Sequence, residues 1–157
     1  MTGFGVRLAD ERDADAVGRL LHAFNREYDE PTPDPPTLAA RIRELLAEGT
    51  TDVLLLDGPG GDPEGLVVLR FRSSIWSPAQ ECYVAELYVV PERRGGGRGQ
   101  ALMEAALERA RARGADHVDL GTSEDDVAAR RLYERLGFRC REGGPDGPLM
   151  FVYEREL

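Results

Sequence analysis

Apolar residues recur along this chain in two rhythms, a helical one near 3.6 and an extended one near 2, and the switches between them mark out the elements. Val17, Leu20, Leu21, Phe24 and Tyr28 repeat at steps of three and four. That spacing predicts an amphipathic helix, with Asp10 and Asp13 as candidate N-caps. Pro31, Pro33, Pro35 and Pro36 follow. With φ fixed and no N–H to donate, they end the helix in a stiff loop. Leu38, Ile42, Leu45 and Leu46 predict a second helix, closed by Gly49.

Short apolar runs bounded by turn residues predict strands. These are Gly5 to Leu8, Asp52 to Asp57, Gly65 to Arg72 and Cys82 to Val90, the last stopped by Pro91. A glycine-rich loop from Arg93 to Gly99 opens a helix along Gln100 to Arg113, and His117 to Leu120 reads as a fifth strand. A last helix is expected from Ser123 to Leu136, capped by Gly137. Phe138 to Arg141 and Leu149 to Glu154 read as two further strands joined by a Gly/Pro hairpin loop. The order is βααβββαβαββ, an α/β (α+β) layout in one domain spanning residues 1–157, without repeats or a linker.

The chain has 157 residues and 41% hydrophobic content, enough for a packed core. No apolar run reaches membrane-span length and no signal peptide is evident. The two cysteines, Cys82 and Cys140, suggest neither a disulfide framework nor a zinc site, so the expectation is a cytoplasmic protein with no metal. All 20 basic residues are Arg.

Net charge is −9, unevenly spread: residues 91–141 carry +2, residues 1–90 carry −8 and residues 142–157 carry −3. The central segment suits an anionic ligand and the flanks a cationic one. No dense basic stripe exists, which argues against nucleic acid.

The most informative stretch runs Leu87-Tyr88-Val89-Val90-Pro91-Glu92-Arg93-Arg94-Gly95-Gly96-Gly97-Arg98-Gly99-Gln100. A strand enters a glycine turn and then a helix N-terminus, where free N–H groups and the helix dipole attract phosphate. A P-loop would need Gly-Lys-Ser/Thr, and the chain has no Lys. A dinucleotide G-x-G-x-x-G fails at Gln100.

Arg94-x-x-Gly97-x-Gly99 resembles the Arg/Gln-x-x-Gly-x-Gly/Ala signature of GCN5-related N-acetyltransferases. Tyr133, 34 residues after Gly99, sits in Leu132-Tyr133-Glu134-Arg135-Leu136-Gly137-Phe138, which resembles that family's second signature. The resemblance implies a mixed, mostly antiparallel sheet of six to seven strands, about four helices, and a splay between the fourth and fifth strands.

It further implies acetyl-CoA as acyl donor and an amine, of a small molecule or a peptide, as acceptor. Backbone at Leu87, Tyr88 and Val89 would hold the pantetheine arm, and N–H groups of Gly95, Gly96, Gly97, Arg98, Gly99 and Gln100 the pyrophosphate, with the side chains of Arg93, Arg94 and Arg98 adding charge. Tyr133 matches the family's proton donor to the leaving thiolate. Asp126 stands where many members carry an Asn, and Ser123-x-x-Asp126 also resembles a capping box.

Glu86, in the fourth strand, is the first choice of general base, ahead of His22 and His117. An acidic rim of Glu27, Asp29, Glu30 and Asp34, with Trp76 or Tyr83 beside it, would suit a cationic acceptor. Alternatives from the same residues are a non-catalytic acyl-CoA sensor or interaction module, and a transferase for a longer acyl group. Dimers are common in the family, and neither a membrane nor a nucleic acid is an expected partner.

Overall fold

The computed structural model describes residues 4–157 and begins with β1 (Val6–Leu8). A single 3-10 turn, capped by Asp10, leads into α1 (Ala14–Glu27). Asp10 and Asp13 cap one another's backbone reciprocally, so both of the predicted caps are used. Then come α2 (Pro35–Glu48), β2 (Thr51–Asp57), β3 (Pro63–Ser73), β4 (Gln80–Val89), α3 (Arg98–Ala112), β5 (Ala115–Asp119) and α4 (Val127–Arg135). Pro35 and Pro36 start α2, with the Asp34 side chain accepting from Thr37 N–H and Gly49 closing the helix at φ +82°.

The chain forms two compact units, one up to Leu120 and one from Gly121. The first holds a five-stranded sheet in the order β1-β2-β3-β4-β5. Neighbours from β1 to β4 are antiparallel, while β4 and β5 run parallel. Helices cover both faces, which explains why Thr51–Leu56 of β2 is buried residue after residue. On one face Val53, Leu55, Leu66, Val68 and Tyr88 meet Val17 and Leu20 of α1 and Ile42 of α2. On the other, α3 buries Leu102 and Met103 fully, and a Cβ at Gly65 would lie 3.0 Å from the Leu102 side chain. Each fully buried leucine contributes about 2 kcal/mol of transfer free energy.

Two features of β4 prepare the site. Its register with β3 jumps from Val68↔Glu86 to Leu69↔Val84, so Ala85 is the extra residue of a bulge. Its pairing with β5 ends at Tyr83↔Asp119. Beyond Tyr83 no strand pairs with β4 on that side among the described residues.

The second unit departs from the expected layout. Its helix starts at Val127, four residues later than the spacing suggests, because Asp126 is itself the N-cap. The two expected strands, Phe138–Arg141 and Leu149–Glu154, reduce to one antiparallel bridge, Arg141↔Leu149. It is flanked by the backbone bonds Glu142 N–H to Pro148 O and Met150 N–H to Cys140 O. Among the described residues the sheet therefore has five strands, not six to seven. Leu149 to Tyr153 is a continuous apolar run, and a run of that kind forms a strand where both faces are covered. Here Phe151, Val152 and Tyr153 are exposed.

Candidate functional site

β4 leaves the sheet at Val89, and Pro91–Arg93 makes one 3-10 turn. Gly95 (φ +81°) and Gly97 (φ +88°) then take left-handed conformations that reverse the chain into α3. Gly97 is the N-cap and brings no side-chain acceptor. The first-turn N–H groups of α3, those of Arg98, Gly99 and Gln100, have no intrahelical acceptor and carry the positive end of the dipole. The sequence-predicted loop thus folds as a turn directly after β4 that cradles the open N-terminus of α3.

The three arginines of this loop are already engaged. Arg94 donates through Nε to Val89 O (2.9 Å) and makes a two-pronged pair with Glu27 at the end of α1, 2.8 Å on each side. Its guanidinium lies 5.6 Å from the Tyr88 ring, which also stacks on Phe24 at 4.9 Å. The Arg94 hydrogen bonds, helped by the hydroxyls of Tyr28 and Tyr88, hold the Glu27 carboxyl below the usual carboxylate range. Arg93 pairs with Glu64 (Nε to Oε1, 2.9 Å), and Arg98 reaches the other oxygen of Glu64 at 3.3 Å. Arg98 also stacks over Phe4 at 4.8 Å. Glu64 escaped the sequence reading, and Glu27, read there as part of an acidic rim, is instead paired with Arg94, 67 residues away in sequence.

Glu86 sits beside the bulge, opposite Val68, on the same sheet face as the Tyr88 side chain. It is open to solvent, yet protein bulk around it removes enough water to raise its carboxyl above the usual value. Tyr88 itself is buried under α1. Leu87 and Val89 point the other way, as period-two alternation requires.

His22 donates from Nδ1 to the Pro33 carbonyl of the 31–33 loop, 3.1 Å away, since a carbonyl can only accept. His117 pairs with Glu81 in the parallel ladder. Trp76, expected beside the acceptor, stands 89% exposed in the β3–β4 turn, past the Gln80 end of β4 and away from the loop. A cavity of about 330 Å³ bordered by Ala9, Asp10, Arg43 and Thr51 also opens at that far end of the sheet.

In the second unit, Tyr133 lies on α4 and meets Phe138 edge-on, centroids 5.9 Å apart. Burial, and then the nearby Asp126 carboxylate, push the Tyr133 phenol upward, so it keeps its proton at neutral pH. Phe138 N–H bonds to Tyr133 O (3.0 Å) across Gly137, which adopts φ +90°. Asp126 accepts from Ala129 N–H at 3.1 Å and so caps α4. Cys140 is exposed and Cys82 is buried. Among the described residues no group of three or more His, Cys, Asp or Glu could hold a metal, and no helix is long and apolar enough to cross a membrane.

A mixed sheet whose parallel pair parts beside a glycine-opened helix is the α/β architecture of GNAT-type acetyltransferases. The Acetyltransferase (GNAT) family matches residues 17–138, and this chain belongs to it. A crystal structure of an acetyltransferase from Arthrobacter sp. FB24 superposes with a TM-score of 0.89 at 40% identity, covering 100% of this chain and 98% of that one. An uncharacterised N-acetyltransferase of Bacillus subtilis is 30% identical over 133 residues, 85% of this chain and 88% of that protein. A mycothiol acetyltransferase of Actinosynnema mirum is 32% identical over 134 residues, 81% of this chain but 41% of the relative. The chain spans less than half the length of the mycothiol acetyltransferases it matches.

Proposed function

We propose that this protein is an N-acetyltransferase that moves an acetyl group from acetyl-CoA to a primary amine by direct attack. The observation that carries the proposal is the opening of β4 beyond Tyr83, next to an α3 N-terminus left uncapped by Gly97. A donor with a diphosphate and an amide-bearing arm fits both. The backbone of Gly95–Gln100 takes the diphosphate, and the free edge of Leu87, Tyr88 and Val89 takes the arm as a strand would.

Val89 N–H stabilises the negative charge that develops on the thioester oxygen. Glu86 takes the ammonium proton of the acceptor, directly or through water, and its raised carboxyl brings it closer to the working pH of a base. The amine lone pair then forms the new C–N bond as the C–S bond breaks. Tyr133 gives its proton to the departing thiolate, as the family motif around it suggests; its raised phenol keeps the proton until the thiolate forms.

The acceptor is an amine whose identity stays at the level of class. The printed names of relatives include mycothiol acetyltransferases and an N-alpha-acetyltransferase of Schizosaccharomyces pombe, 46% identical over 59 residues. Asp29, Glu30 and Asp34 beyond α1 favour a cationic molecule.

Calorimetric titration with acetyl-CoA, beside a Gly97→Trp variant, tests this. Saturable binding by the wild type and its loss in the variant is the expected result. Gly97 takes φ +88°, so any side chain there is strained as well as obstructive. A folded wild type that does not bind acetyl-CoA would overturn the proposal.

A further inference from the structure

Glu64 stands at the start of β3, and its carbonyl accepts Val90 N–H (2.9 Å) where β4 gives way to the loop. Its carboxylate is seated over Gly58, where an added Cβ would collide with it. The side chain is 13% exposed and faces two arginines of the cradle. The two contacts differ in kind.

Arg93 Nε meets Oε1 at 2.9 Å and its side chain is 45% exposed. Arg98 is 20% exposed, lies 3.3 Å from Oε2, and folds back so that Nη1 crowds Gly96 and reaches Arg93 O. Glu64 Oε2 and Arg98 Nε are buried without a properly directed hydrogen bond. Arg98 is therefore a fixed post beneath the loop, stacked on Phe4. Arg93 is a cation held by an anion of the protein, one residue before the Arg94–Gly97 turn.

We propose that Glu64 is a built-in competitor for the donor's phosphates: it holds Arg93 in the free protein and yields it to the diphosphate of the CoA moiety on binding. This inference rests on the acetyl-CoA reading above. The attraction between Arg93 and Glu64 must be given up when the ligand arrives, and the carboxylate then stands near an incoming anion of like sign. Both effects lower affinity, and both favour release of CoA after transfer. Glu64 thereby sets how tightly the cradle holds its ligand, while the backbone N–H groups decide what the ligand is.

The experiment is a double-mutant cycle read by calorimetric titration with coenzyme A, on wild type, Glu64→Gln, Arg93→Gln and the pair, each checked for a cooperative thermal melt. Glu64→Gln is expected to bind about fivefold more tightly, the scale of a partly exposed ion pair. Arg93→Gln is expected to bind several-fold more weakly, and the gain from Glu64→Gln is expected to vanish in the Arg93→Gln background.

Unchanged or weaker binding by a folded Glu64→Gln would overturn the inference, as would a gain that persists without Arg93. If Glu64→Gln does not melt cooperatively, Arg93→Gln decides alone: unchanged affinity would sink the proposal. Failure of wild type to bind coenzyme A would count against the donor assignment instead, so the two failures are distinguishable.

Discussion

At the scale of single residues, the site's chemistry turns on groups whose surroundings move their proton equilibria. Burial raises the Glu86 carboxyl. With Glu86 as the proposed base, which must be deprotonated to act, kcat/KM is expected to fall as pH drops through that raised value, at a higher pH than an ordinary carboxylate would give. Glu86→Gln should lose about 10²- to 10³-fold in kcat and that acid limb with it, measured by thiol release across pH. The same shift has a stability consequence. Because the folded value lies above the unfolded one, the folded state prefers the neutral acid; this stabilisation is present at low pH and lost as pH rises through the folded value. Glu86→Gln should therefore raise Tm at pH 7 and leave it nearly unchanged at pH 4. Tyr133→Phe should lower kcat by about tenfold or more while sparing acetyl-CoA affinity; equal loss in both would reassign Tyr133 to packing against Phe138.

At the scale of elements, α1 and α2 approach closely because Gly18 has no side chain. A Cβ there would lie 2.7 Å from Pro35 O and 3.0 Å from Ala39 N, both backbone atoms of α2. Alanine normally favours a helix by about 1 kcal/mol over glycine. Here Gly18→Ala should instead destabilise, by roughly 1–3 kcal/mol, because two backbones must separate. A thermal melt that shows stabilisation would refute this packing.

The elements themselves were mostly legible. Periodicity placed α1, α2, α3 and the first five strands, and the signature Arg94-x-x-Gly97-x-Gly99 located the cradle. What failed, failed for lack of a partner. The Leu149 to Tyr153 run has strand composition, but a ladder needs a second backbone, and only Leu149 is bridged. Asp126 looked like the third residue of a cap and is the cap. Glu64 was invisible, and Glu27 was read as rim, because the role of each comes from arginines brought to it by the fold.

At the scale of the molecule, the sheet unit is tied at the end remote from the cradle by a buried charge cluster. Asp52, 8% exposed, receives Arg109 Nε at 2.7 Å and Arg113 Nη1 at 3.1 Å, and Arg113 also donates to Gly49 O at 2.7 Å. These bonds join the start of β2, the end of α2 and the end of α3. Asp52→Ala would strand two partly buried guanidinium groups and should cost about 3–5 kcal/mol, seen as a large drop in Tm with little change in acetyl-CoA affinity. The opposite end is built to be incomplete. Where β5 parts from β4 at Tyr83, a stretch of backbone is left that any extended chain of peptide-like groups can complete. A pantetheine arm is one such chain; a strand of a neighbouring molecule is another. The same gap that the proposed donor would fill is thus an open seam for self-association, and coenzyme A in the storage buffer is expected to act as a stopper for it.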